Sequence, residues 1–363
     1  MGHFVYGGIK MRKLPVVLQS EIVSECWTFY KMAVIQTHPR LEEWFASKRL
    51  DVFLSENGSH SCFGEYGAMY PLSYYGDILH ISEVQDPNPI HIVDRIERGI
   101  DAGQYTIVYL NFTTLFNDTM HESPYIHEML IYGYDESRRV FYCAHVGKEY
   151  ELAYDLFLEN YTGVWDLFRR EPELLFPRRM WYFLVTSISL NLDYHNDNAC
   201  YDFLKKVERE WKVGTVIKNE YSKWGEKENQ IVYHCGIYAL LALRDKLLWM
   251  RTQSPTTDEC YTYSLIILKF CEHRSILLRS MAWFMEHNGF LNEEKTAVPM
   301  RACYGRYEKC VIRMKKIHAL FLKYSLVKSP AICIRVIDCL QAQYALEYEA
   351  LEAFYQKAIE FYH

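Results

Sequence analysis

The pattern of apolar and polar positions changes character part-way along the chain. Up to about residue 155 the apolar residues come in short runs rich in β-branched and aromatic side chains, separated by turn formers such as Asn57-Gly58, Asp86-Pro87-Asn88-Pro89 and Tyr132-Gly133-Tyr134-Asp135. The clearest runs, 105–111, 127–134 and 139–145, predict β-strands. The polar stretch Asp135-Glu136-Ser137-Arg138 predicts that the last two form an antiparallel hairpin. From about residue 195 the spacing becomes helical, with apolar faces at Ile266, Phe270, Leu277, Met281 and Phe284, and again at Met314, Ile317, Phe321 and Tyr324. The terminal segment repeats Tyr344, Tyr348, Leu351, Tyr355, Ala358 and Tyr362 in steps of four and three, a seam that packs on another helix. Between the halves, 156–194 carries Pro172, Pro177 and the aromatic run Met180-Trp181-Tyr182-Phe183, and reads as a crossover segment. The pattern therefore predicts an α+β fold over 1–155, the crossover over 156–194, and a helical domain over 195–363.

Composition narrows the function. Half the residues are hydrophobic and 16% aromatic, enough to bury a large core and too much for a disordered chain. Lys and Arg number 40 against 46 Asp and Glu, so no basic excess is present to neutralise nucleic-acid phosphates. The densest apolar stretch, 231–249, is interrupted by His234, Arg244, Asp245 and Lys246, which argues against a membrane span. Residues 1–17 lack the apolar core of a secretory signal, and a cytoplasmic location is expected. The 11 cysteines form no C-x-x-C pair and read as reduced, mostly buried thiols, so neither a metal centre nor a disulfide framework is expected.

One cysteine stands apart. Ser24 is placed to cap a helix beginning at Glu25, and Trp27, Tyr30 and Val34 continue a helical spacing up to His38-Pro39. Cys26 then sits in a first helical turn, where unsatisfied amides and the positive end of the helix dipole favour a thiolate. A cysteine nucleophile needs a nearby base, and His127 opens a predicted strand. The third group, which would orient the imidazole, is sought from the hairpin. With a turn at 135–138, His127 falls opposite Val146, so the orienter should come from 144–149, where His145 and Glu149 stand, or from Asn111 on the neighbouring strand. Asp135 is displaced from His127 by about 26 Å of extended strand.

Other constellations carry less. Cys62 lies close to His60 in a Gly-rich loop but has no helix start beside it. His234 and Cys235 would be adjacent on a helix and point apart. Glu272, His273 and Arg274 read as a solvated or interdomain polar patch, open to a role in binding an amine or a phosphate. No Gly-rich phosphate loop is present.

The order of Cys26 at a helix start, then Gly103-Gln104-Tyr105-Thr106-Ile107-Val108-Tyr109-Leu110-Asn111, then His127-Glu128-Met129-Leu130-Ile131-Tyr132-Gly133-Tyr134-Asp135, resembles the papain-fold, C39-like cysteine-protease relatives of natural-product biosynthesis typified by the butirosin biosynthesis H protein. The segments 234–245 and 272–284 resemble the helical part that follows in such proteins. The resemblance implies a papain-like fold followed by a mostly α-helical domain. It implies an acyltransferase, or amide synthase, similar to the closthioamide amide-forming transferase, in which Cys26 takes an acyl group from a carrier-protein thioester and passes it to an amine. An acyl or peptidyl carrier protein and a small amine are the implied partners. No cofactor is implied beyond the phosphopantetheine that arrives on the carrier. Where the family shows Asp near positions 145 and 111, this chain has His145 and Asn111, and the oxyanion glutamine six residues before the cysteine is matched only by Gln19, seven before it. Two other functions use or lack the same dyad: a cysteine hydrolase (peptidase or thioesterase), and an inert scaffold that binds a carrier protein.

Overall fold

The computed structural model describes residues 10–48, 51–56, 61–64, 75–85, 88–116, 125–170, 184–221, 228–253 and 255–362. In chain order the elements up to residue 116 are β1 (Met11–Lys13), α1 (Cys26–Ile35), α2 (Leu41–Ser47), β2 (Asp51–Ser55), β3 (Ser61–Gly64), β4 (Leu79–Gln85), α3 (Ile92–Asp101), β5 (Tyr105–Asn111) and the single turn α4 (Phe112–Leu115). There follow β6 (Ile126–Asp135), β7 (Val140–His145), β8 (Lys148–Ala153), α5 (Tyr154–Arg170), β9 (Leu184–Leu190), α6 (Ala199–Lys212), β10 (Thr215–Tyr221) and β11 (Glu228–His234). Four helices complete the chain, α7 (Tyr238–Thr252), α8 (Thr257–His287), α9 (Glu294–Val327) and α10 (Pro330–Tyr362). Helix and antiparallel sheet are thus mixed, with helices dominating the C-terminal part, as an α+β fold requires. Among the described residues no helix is long and apolar enough to cross a membrane.

The chain forms two compact units, Met1–Pro39 with Tyr75–Asp193, and Arg40–Tyr74 with Tyr194–His363. These differ from the boundaries read from the sequence. The stretch 156–194 is not a crossover: Phe157, Tyr161 and Val164 of α5 are buried at helical spacing, and β9 pairs with both β4 and β5 inside the first unit's sheet. Pro172, Pro177 and 180–183 lie outside the described residues. Nor is the second unit purely helical. It contains a four-stranded antiparallel sheet, β10-β11-β2-β3, half of which comes from residues before 75.

The first unit is built on an antiparallel sheet of order β4-β9-β5-β6-β7-β8, with β1 added beside β6. Its central strands, β5 and β6, are buried almost throughout, which is why they read as near-continuous apolar runs rather than alternations. Helix α1 packs against β6, β7 and β9, and α3 packs against β5 and β6. The predicted hairpin exists, but its turn falls at 136–139, so Asp135 pairs with Val140 instead of Arg138. Asp135 Oδ1 accepts the Ser137 and Arg138 amides at 3.0 and 3.1 Å, and Arg139 closes the turn at φ 50°. A bulge between Ile131 and Gly133 then shifts the register again, setting Leu130 opposite Ala144.

In the second unit α6, α8, α9 and α10 enclose one apolar cluster that includes Phe203, Phe284, Phe354 and Leu351. The C-terminal seam packs as its spacing requires: Leu351 and Ala358 are fully buried, while Tyr344, Tyr348 and Tyr355 cover the cluster's edge. Helix α8 begins with a capping box, Thr256 and Glu259 each accepting the other's backbone N–H.

Gly133 marks where β1 meets the bulge. A Cβ there would lie 2.7 Å from the Arg12 carbonyl oxygen and 3.0 Å from the Lys13 Cα, both backbone atoms. Gly133→Ala should therefore force β1 off the sheet and cost about 1–3 kcal/mol in urea unfolding; Gly163→Ala, whose Cβ meets nothing within 4 Å on α5, should be neutral or stabilising.

Candidate active site

Helix α1 carries the candidate nucleophile, Cys26. Phe29, Tyr30, Met32, Ala33, Val34 and Ile35 are all fully buried, so the helix is held on every side by the unit's interior. Its first residue is Cys26, and the residue before the helix is Glu25 rather than Ser24, one position later than the sequence suggested. Glu25 caps through its backbone carbonyl, which accepts the Phe29 amide at 2.9 Å, while its carboxylate takes the Thr28 hydroxyl. Cys26 thus lies at the N-terminus of a rigid helix and is only partly buried, which leaves its sulfur at the positive end of the dipole and open to a reagent.

Strand β6 carries His127 and Glu128. His127 and Glu128 pair with Leu110 and Tyr109 of β5, so their backbone is fixed in the sheet. His127 Nδ1 lies 2.9 Å from Glu128 Oε2, and Cys26 Sγ lies 3.7 Å from the same oxygen. One ligand-type atom of each of Cys26, His127 and Glu128 falls within 4.8 Å of the other two. The Glu128 amide nitrogen also sits 2.9 Å from Nδ1. That ring nitrogen cannot both accept from the amide and donate to the carboxylate. The charge-assisted bond to the carboxylate is the stronger, and it assigns the proton to Nδ1.

The electrostatics follow from burial and pairing. Burial alone would lower the His127 pKa, but hydrogen bonds and charge from Cys26 and Glu128 outweigh it and raise it to about 10. Burial pushes the Glu128 carboxyl up, while His127 and, more weakly, Lys31 pull it below the usual range. Lys31, fully buried one turn beyond Cys26, is lowered to about 7 by burial against the opposing charges of Glu128, Glu25 and Glu83. At neutral pH the arrangement is a protonated imidazole between a thiol site and a buried carboxylate.

His145 approaches this centre without orienting it. Its ring centroid is 5.0 Å from that of His127, edge to face. Tyr30 donates its hydroxyl proton to the Glu128 carbonyl at 2.5 Å, so its oxygen accepts from His145 Nδ1 at 2.6 Å. Burial first, and the neighbouring His127 charge second, lower the His145 pKa to about 4. His145 is therefore a neutral ring in an aromatic wall with Phe112, 4.7 Å away. Tyr125 and Phe112 face His127 at 5.3 and 5.5 Å.

The remaining sequence candidates are placed elsewhere. Asn111 caps α4, its Oδ1 accepting the Thr113 amide at 3.1 Å. Gln19 is exposed in the irregular segment before α1. Glu149 receives the Tyr132 hydroxyl and Lys13, and Asp135 holds its turn. Cys62 lies on β3 in the second unit, and His60 is outside the described residues. His234 ends strand β11 instead of sharing a helix with Cys235. Glu272, His273 and Arg274 are buried rather than solvated.

No protein-family model matches the chain, and no curated protein matches it. The site is thus read from its own geometry. Glu128 is the member that sequence reasoning missed, because strict alternation sends neighbours on a strand to opposite faces. Its signal was a carboxylate inside an otherwise apolar strand, which burial makes costly unless a cation reaches it.

Two outcomes follow. Glu128→Gln should slow alkylation of Cys26 at neutral pH at least about tenfold, equivalent to ~1.4 kcal/mol of lost ion pairing, while Asp135→Asn leaves it unchanged; an unaltered rate in Glu128→Gln would remove the carboxylate from the site. His145, depressed from 6.5 to about 4 in the fold, gives stability that is complete above pH 6.5 and is lost as the pH falls toward 4. Urea titrations across that window should show a loss on the order of 2 kcal/mol, allowing for partial exposure, that is smaller in His145→Gln.

Proposed function

We propose that the first unit is a papain-like acyltransferase, with Cys26 as nucleophile, His127 as acid and base, and Glu128 as the group that orients and charges the imidazole. The observation that carries this reading is the convergence of a helix-start thiol, a buried imidazole raised to about 10 and an ionised carboxylate within 4.8 Å of one another. An antiparallel sheet presenting the histidine to the thiol at the start of a buried helix supports the papain-like assignment.

In this reading Cys26 Sγ attacks the carbonyl of an acyl thioester on a carrier protein. The new C–S bond to Cys26 forms as the bond to the phosphopantetheine sulfur breaks, and His127 gives its proton to the departing thiol. An amine then attacks the Cys26 thioester, neutral His127 takes the amine's proton, and Cys26 leaves as thiolate beside a protonated imidazole. One thioester is exchanged for another of similar energy, so the protein's contribution is positioning and the exclusion of water. The rings of Phe112, Tyr125 and His145 around His127 suit that second task.

A hydrolase uses the same groups with water as acceptor. A divalent ion held by Cys26, His127 and Glu128 is a different reading, favoured by the 3.7 Å approach of the sulfur to the carboxylate.

The full chain mixed with an acyl-loaded carrier protein and no amine should gain the acyl mass, and Cys26→Ala should not. Addition of diamines or amino sugars should then release an amide. Immediate release of free acid without amine supports the hydrolase, and no adduct with several carriers supports the inert scaffold. A thiol that alkylates only after treatment with a chelator supports the metal reading.

A further inference from the structure

We propose that the second unit binds a divalent transition-metal ion between Asp51, Glu210 and His273. The three residues come from β2, α6 and α8 and are 7%, 3% and 1% exposed in that order. One ligand-type atom of each lies within 4.8 Å of the other two.

The imidazole is the observation that points to an ion. His273 Nε2 is buried and makes no hydrogen bond, although it lies 3.2 Å from Glu210 Oε1. The two atoms are close but not aligned for a shared proton. Ligands about 2.1 Å from a common ion stand roughly 3.0 Å apart in an octahedron and 3.4 Å apart in a tetrahedron, and 3.2 Å falls between. Two oxygen donors and one imidazole are the donor set of zinc, manganese or iron(II) sites.

Two cations beside the cluster also have partners outside it. Arg274 is committed to Glu347, with Nε and Nη2 within 3.0–3.2 Å of its carboxylate, and Gln343 donates to the same carboxylate at 2.7 Å. Lys206 Nζ donates to the Phe45 carbonyl at 2.8 Å and offsets part of the charge on Glu210.

The ligand positions are set by the backbone. Glu210 O accepts the Ile237 amide at 2.9 Å, and a Cβ on Gly236, at φ 57°, would lie 2.3 Å from that oxygen. Glycine there permits the loop after β11 to lock the end of α6. Ligation through Nε2 places the ring proton on Nδ1, 3.4 Å from Arg274 Nη1, so that guanidinium N–H must turn aside while Glu347 keeps its grip. The ion would tie a strand to two helices, a structural role independent of the chemistry at Cys26.

The test uses the full chain carrying Cys26→Ser, which removes the thiolate of the other metal-capable group. After chelation and dialysis, titration with Co2+ should reach one ion per chain and give ligand-field absorption without a thiolate charge-transfer band. Asp51→Asn and His273→Gln, checked for native far-UV circular dichroism, should weaken binding at least about tenfold. Stoichiometric binding that both folded variants retain would overturn the assignment. Should both variants fail to fold, the titration of the Cys26→Ser chain still decides: saturation at one ion with a rise in melting temperature supports the site, and no binding overturns it.

Discussion

A carboxylate inside a sheet stays ionised only if cations are brought to it, and Glu128 is such a group. Its isolated burial would cost several kcal/mol. The first unit meets that requirement with the His127 imidazole at 2.9 Å, with Lys31 behind it, and with the Tyr109 hydroxyl at 3.3 Å on its other oxygen. Because His127 and Glu128 are neighbours on one strand, the imidazole and the carboxylate are set by a single stretch of backbone. Only Cys26 must be delivered from elsewhere.

Delivery depends on packing. Helix α1 is buried on every side from Thr28 to Ile35, with Thr28 and Lys31 its only polar residues there, and its N-terminus brings the thiol to the strand. The Tyr30 hydroxyl connects the layers by bonding the Glu128 carbonyl and the His145 ring together. The hydrophobic term fixes the helix, and the polar network fixes the angle at which it presents Cys26. The geometry thus follows from burial first and electrostatics second.

Much of this was legible in the sequence, and the exceptions have definite causes. Strands 105–111, 127–134 and 139–145 were read to within a residue or two, because buried central strands are dense in β-branched and aromatic residues. The helix start at Cys26 and the strand start near His127 are local features and legible in the sequence. Glu128 is not, because the sequence search looks across the hairpin for a partner of His127, while alternation along a strand sends an adjacent residue to the other face. The long-range pairing of β9 with β4 and β5, and of β11 with β2, left no local trace, so 156–194 looked like a connection and the second unit looked purely helical. Glu272-His273-Arg274 looks solvated in the sequence because what buries the three residues, and the Glu347 carboxylate that pairs with Arg274, come from segments distant in sequence.

His127 carries a proton at neutral pH because Cys26 and Glu128 hold it there. Nitrogen-15 NMR of the imidazole reads this directly, since the two ring nitrogens converge in shift when both are protonated. At pH 7 His127 should show an imidazolium signature in the native protein that persists toward pH 10, and its proton should come off at lower pH in Glu128→Gln. A neutral His127 ring at pH 7 in the native chain, titrating near the free value of about 6.5, would contradict the account.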